Sequence, residues 1–138
     1  MLKKLSLIDL HKAVQDRVKK NTGLECYDSV PDNTPAPFYF VQVVGKRQAD
    51  TKTMWCEIYN VWIHAIAEKQ DGRVGIYDLI QRLEEALTEH ITVPDHVELL
   101  QQTELGLQTL KIDATGEHHA VLAYDFKIAY GFKMKGAM

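Results

Sequence analysis

The chain has 138 residues, of which 46% are hydrophobic and 25% charged, the balance of an ordinary globular protein able to bury about two-thirds of its unfolded surface. A net charge of −3 and a pI near 6.0 supply no broad positive field for phosphates or an anionic bilayer, which argues against direct nucleic acid binding and membrane association. Two cysteines, Cys26 and Cys56, are too few and too far apart for a disulfide framework or a CxxC site, and imply reduced thiols in a cytoplasmic setting.

In chain order, Leu7, Leu10, Val14 and Val18 recur along one face of a predicted helix over residues 6–20. Ser6 is placed to cap it, and Asn21 and Gly23 to end it. A short strand is expected over 25–29, then a rigid loop at 31–37 with three prolines. Two strand-like runs follow, Phe38 to Val44 and Met54 to Ala67, joined by the polar stretch Gly45 to Thr53. In the second run Trp55, Tyr59, Val61, Ile63 and Ala65 share one face, and Cys56, Ile58, Trp62 and Ile66 the other. Both faces are apolar, so both demand cover, while one layer of helices can reach only one of them.

Asp71 and Gly72 open a second predicted helix reaching about His90, with Ile76, Leu79, Ile80, Leu83 and Leu87 on its apolar face. Three strands are expected after Pro94: His96 to Gln102, Leu107 to Asp113 and His118 to Met134. Leu105 and Leu107 are out of phase with Leu110 and Ile112, which points to a bulge or turn near Thr109. The resulting expectation is a single soluble α+β domain over 1–138, in the order α-β-β-β-α-β-β-β. Its sheet is mostly antiparallel, with two helices packed on one face. No internal repeat or linker divides it.

Candidate chemistry is sparse. Ser6 and Ser29 are the only serines, and neither sits in a GxSxG turn. Cys56 and His64 lie on one strand roughly 26 Å apart, too far for a nucleophile and its base. Six histidines (His11, His64, His90, His96, His118, His119) form no HExxH or similar spacing. The densest set of ligating types is Asp113, Glu117, His118 and His119, where adjacent histidines on a strand point to opposite faces and a polar turn is the plainer reading. Glu84, Glu85 and Glu89 read as a solvated helix face or an acidic docking patch. Lys46, Arg47 and Lys52, with Lys127, Lys133 and Lys135, scatter positive charge. No catalytic, metal-binding or cofactor-binding set emerges, so the expectation is a non-enzyme. Residues suited to an interface are Lys46, Arg47, Lys52, Trp55, Trp62, Glu85 and Glu89, with aromatic anchors flanked by charge.

Laid out in this order, the chain resembles the tail-completion proteins of long-tailed bacteriophages and prophages, also called tail-terminator or head-tail joining proteins. The likeness rests on the N-terminal helix, the Pro-rich entry Thr34-Pro-Ala-Pro-Phe-Tyr-Phe-Val-Gln-Val43, the polar hairpin loop, the aromatic strand Trp55 to Ala67, the helix Val74 to Leu87 and the last strand Ala120 to Met134. The resemblance implies a structural protomer that forms a ring, typically sixfold, at the end of the tail tube. Its partners would be copies of itself, the tail tube protein and the head connector protein. It would reside in the host cytoplasm during assembly and then in the virion tail or neck. The Gly45 to Thr53 loop would be the extended hairpin directed at the tube. A small α+β module that binds a peptide or small ligand in a pocket lined by Trp55 or Trp62 is the alternative reading.

Overall fold

The structure is a computed structural model in which residues 1–133 are described. Its elements are α1 (Leu7–Thr22), β1 (Cys26–Tyr27), β2 (Phe38–Gln48), β3 (Met54–Ala67), a single 3₁₀ turn (Lys69–Asp71), α2 (Gly72–Ala86), β4 (Glu98–Ile112) and β5 (His118–Phe132). The five strands form one sheet in the order β1-β2-β3-β5-β4. Only the β1–β2 pair is parallel; the other three pairs are antiparallel. The fold is α+β, as expected.

α1 begins where Ser6 Oγ accepts the Asp9 N–H at 3.0 Å, which satisfies one of the donors left over at a helix start. It ends at Gly23, whose φ of +76° is open to glycine without steric cost and whose N–H closes the last turn on the Lys19 carbonyl. Leu10, Val14 and Val18 are fully buried beneath it. α2 stops at Ala86, short of the expected His90. Leu87 caps it in a non-helical conformation, and Arg17 and Asn21 of α1 take up carbonyl oxygens at its far end (Arg17 Nε to His90 O, 3.0 Å; Asn21 Nδ2 to Ala86 O, 2.9 Å). These bonds replace the helical ladder that the sequence pattern suggested would run on.

Both helices lie on one side of the sheet, α1 over β1 and β2, α2 over β3 and β5. Between the two layers sit Tyr39 and Val41 of β2, Tyr59, Val61, Ile63 and Ala65 of β3, and Leu122, Tyr124, Phe126 and Ile128 of β5. The buried tyrosines place their hydroxyls on backbone oxygens, Tyr39 on Leu79 O at 2.8 Å and Tyr59 on Leu5 O at 3.0 Å, so the polar tips are satisfied inside an apolar layer.

Two expectations need correction. The segments His96 to Gln102 and Leu107 to Asp113 are one strand, β4, rather than two. Three bulges along its pairing with β5, at Leu99/Gln101, Glu104/Gly106 and Leu107/Thr109, reset the alternation without ending the strand. Secondly, Gly45 to Gln48 belongs to β2, because the ladder with β3 continues past a bulge at Val43/Gly45 down to Gln48↔Glu57. The connection is thus a tight turn at 49–53, closed by Ala49 N–H to Cys56 O and Thr51 N–H to Met54 O. The Gly45 to Thr53 segment is therefore the end of the β2–β3 hairpin, strand to Gln48 and turn beyond it. Of the last expected strand, Met134 lies outside the described residues, as does Lys135.

Ile63 is fully buried at the centre of the sheet, so Ile63→Ala should cost about 2–5 kcal/mol in chemical denaturation. The exposed cap substitution Ser6→Ala should cost only about 1 kcal/mol in the same measurement.

Candidate functional site

On the side away from the helices the sheet has no covering layer among the described residues. Its middle carries Phe40 and Gln42 from β2, Trp62 and His64 from β3, and His119 and Val121 from β5, brought together by the registers Phe40↔His64, Gln42↔Trp62 and His64↔Val121. His64 Nε2 meets Gln42 Oε1 at 2.9 Å and its Nδ1 meets His119 Nε2 at 2.8 Å. A neutral His64 satisfies both bonds by donating to the glutamine and accepting from His119. Phe40 stacks on the His64 ring, centroids 4.1 Å apart. Burial, reinforced by the charges of His119 and Lys111, pushes the His64 pKa down to about 4. His64 itself is therefore neutral at pH 7. Trp62 stands at its surface with 37% of its area in solvent.

The sheet end formed by the β2–β3 turn is polar. Asp50 closes the turn by accepting the Cys56 N–H at 2.9 Å and meets Lys133 at 3.5 Å, and the Lys133 ammonium also lies 5.0 Å above the Trp55 ring. Behind the turn, Glu57 is buried against the helix layer. Its carboxylate accepts from Tyr130 Oη (2.7 Å), Tyr59 Oη (3.3 Å) and Lys4 Nζ (3.2 Å), with Lys46 Nζ at 3.7 Å. Burial alone would raise its pKa; the bonds from Tyr130 and Lys4 and the charge of Lys46 outweigh that and hold it low. A cleft of 410 Å³ runs beside this network, with Trp55 and Leu2 on its apolar walls. Glu57, the buried acid beside this cleft, is thus already met by donors of this chain.

The interface residues named from the sequence fall on three separate surfaces. Lys46, Arg47, Lys52 and Trp55 gather at the turn end, Trp62 is on the bare sheet face, and Glu85 and Glu89 are on the helix side, near the end of α2. Lys46 is drawn inward by Glu57, whereas Arg47 and Lys52 have no ion-pair partner among the described residues. Glu85 is exposed on α2. Glu89 lies beyond the helix, paired with Arg17 at 2.8 Å. A bulge between Trp55 and Cys56 breaks the expected sharing of a face by Trp55 and Tyr59; Tyr59 is core, and Trp62 lies on the opposite face, as its position in the strand predicts.

The Asp113 to His119 segment is the β4–β5 turn. Asp113 Oδ1 accepts from Thr115 and Glu117 backbone N–H groups at 2.9 and 3.1 Å, and these bonds, led by that from the Thr115 hydroxyl, hold its pKa low. His118 and His119 point to opposite sides of the sheet. No grouping of three or more metal-ligating side chains occurs among the described residues. Three features escaped the sequence reading: the Glu57–Tyr59–Tyr130 network, the His64–His119 pair, and the approach of Glu84 to Glu104. Each depends on strand register or helix placement, which periodicity does not reveal.

Residues 1–136 match the family described as "Putative tail termination protein". The chain belongs to this phage tail-terminator family. Among solved structures it is similar to a chain of the virion of a native gene transfer agent particle, at 17% identity and a TM-score of 0.65, over 88% of this chain and 95% of that one. At that identity the likeness concerns the fold. No curated protein matches the chain. As a tail-terminator family member it is a phage structural protein, and no helix among its described residues is long and apolar enough to cross a membrane.

The buried, neutral His64 makes the fold acid-sensitive. Between about pH 6.5 and pH 4 the unfolded chain binds a proton at this site that the folded chain refuses, so stability falls as pH falls through that window. The urea midpoint should therefore drop from pH 7 to pH 5, and it should drop less in His64→Gln, which does not titrate.

Proposed function

We propose that this protein completes the tail by closing into a homo-oligomeric ring on the end of the tail tube, where it stops tube growth and presents a surface to the head connector. The family of tail-termination proteins to which it belongs supports that role. Support from the fold comes from the single helix layer. It leaves the opposite sheet face, with Trp62 at its centre, uncovered, and leaves two sheet edges without strand partners among the described residues. Such a protomer gains by burying these surfaces against copies of itself or its tail neighbours, and a head-to-tail contact repeated around an axis closes into a ring.

The mechanism is binding alone. Ring closure limits the number of subunits, and the completed ring offers the next component a surface that no single subunit has. Within it, Arg47 and Lys52 at the turn end would meet an acidic neighbour, Trp62 would anchor a desolvated contact, and Glu85 and Glu89 would face basic groups. The fold's likeness to a gene transfer agent virion chain is consistent with a place in the tail or neck of the particle.

Electron microscopy of the protein mixed with tail tubes from the same source should show a ring at one end of each tube; unmodified tube ends at saturating protein would overturn the reading. Trp62→Glu should keep the native circular dichroism spectrum yet reduce ring-capped ends by at least about tenfold, because a charge replaces a buried anchor.

A further inference from the structure

The two outermost strands of the sheet differ in what they offer. β1 occupies only the start of β2, at Tyr39 and Phe40, so Val41–Gln48 has a strand on its β3 side and none on the other among the described residues. At the far edge, β4 is paired with β5 alone. β4 lies at the margin of α2, which reaches it where Glu84 meets Glu104, and exposes Leu105, Leu107, Leu110 and Ile112, with Leu107 at 45%. A long, partly apolar edge is a template for another strand.

Strand direction decides which strand fits. Three successive antiparallel pairings separate β2 from β4, so the two run in opposite directions. A second copy set alongside in the same orientation therefore brings its β2 to β4 as an antiparallel neighbour, with both helix layers on the same side. The levels along the sheet agree. Lys46 stands opposite Tyr59, Tyr59 opposite Phe126 and Phe126 opposite Gln102; Arg47 connects through Ile58 and Lys127 to Gln101. Between the bulges, β4 keeps a regular ladder from Gln101 to Glu104, at these levels.

Charge distinguishes this pairing from a twofold one. On the helix side of β4, Glu104 lies against Glu84 of α2, and neither carboxylate has an ion-pair partner among the described residues. Burial and the neighbouring Glu104 raise the Glu84 pKa, the mark of two crowded acids. On the free edge of β2 stand Lys46 and Arg47. A β2 strand beside β4 sets Lys46 diagonally across from Glu104 on the same face, whereas two β4 strands paired about a twofold axis would bring no basic group to Glu104 from within the Gln101–Glu104 stretch. α1 of the incoming copy, which packs over its own β2 and exposes Leu7 and Ile8, then lies beside β4.

We infer that neighbouring copies join by antiparallel pairing of Val41–Gln48 of one subunit with the Gln101–Glu104 stretch of β4 of the next, matching Lys46 to the Glu84–Glu104 edge. This rests on the ring reading above and specifies its contact. It makes the interface heterologous, so each subunit uses one edge as donor and the other as acceptor, and no edge of that kind remains once the ring is closed.

Single-cysteine additions test it: Arg47→Cys and Gln101→Cys, each checked for a native spectrum, mixed with tail tubes and treated with a short bis-maleimide. Cys26 and Cys56 are buried, and the unsubstituted protein serves as the background. Cross-linked dimers are expected when the two variants are mixed and not from either variant alone. Self-linking by Gln101→Cys would show a twofold β4 contact and overturn the inference. Ring-capped tubes without mixed dimers would overturn it while leaving the ring reading intact; tubes that never acquire rings would bring down both. Independently, Glu104→Lys should weaken ring formation by about tenfold.

Discussion

Two helices of 16 and 15 residues, each occupying about 10 Å across a sheet whose strands are about 4.8 Å apart, can cover roughly four strands and only one side. Here they sit over β1, β2, β3 and β5, and the fifth strand, β4, is left at their margin. The core forms where the covered strands meet the helices, and the tyrosines, Glu57 and the α1–α2 contacts are arranged around it. What the helices leave open is a sheet face with Trp62 at its centre and a β4 edge that exposes Leu105, Leu107, Leu110 and Ile112.

The polar groups within this frame are held by mutual satisfaction. Glu57 is buried with three side-chain donors and a nearby lysine, His64 bridges Gln42 and His119, and Asn60 donates to Asp125 across β3 and β5 on the bare side. Each pairing fixes side chains on adjacent strands and so fixes register, since a one-residue slip would send these groups to the wrong face and leave them unpaired. The same bonds leave little chemical reactivity. The buried Cys26 thiol has its pKa pushed up to about 12 by desolvation, which makes it a poor nucleophile at neutral pH, and the acid groups of the β4–β5 turn are spent on backbone N–H groups. A tail-termination protein needs surfaces that recognise neighbours and a frame that does not deform, and the polar network serves the second of these.

β3 was the element most legible from the sequence. Its bounds, Met54 to Ala67, follow from the dense run of aromatic and β-branched residues, and its two apolar faces announced that something beyond two helices must cover it. One of those faces is the helix-side core and the other is the bare face. α1 and the core side of α2 were equally readable, because a helical repeat of leucine and valine has few competing explanations. β4 was not. Bulges shift alternation by a residue each, so a continuous edge strand with three of them presents the pattern of two shorter strands with a turn between.

Composition and periodicity thus determined the α+β class, the single-sided helix layer, the absence of an evident catalytic set and the family resemblance, because each depends on which residues are apolar and how often they recur. The strand order, the bulge that parts Trp55 from the face of Tyr59, the meeting of His64 with His119 and the crowding of Glu84 against Glu104 were decided only by the tertiary structure. These are matters of register and of which elements lie side by side, set by pairings between residues far apart in the chain that no local pattern encodes.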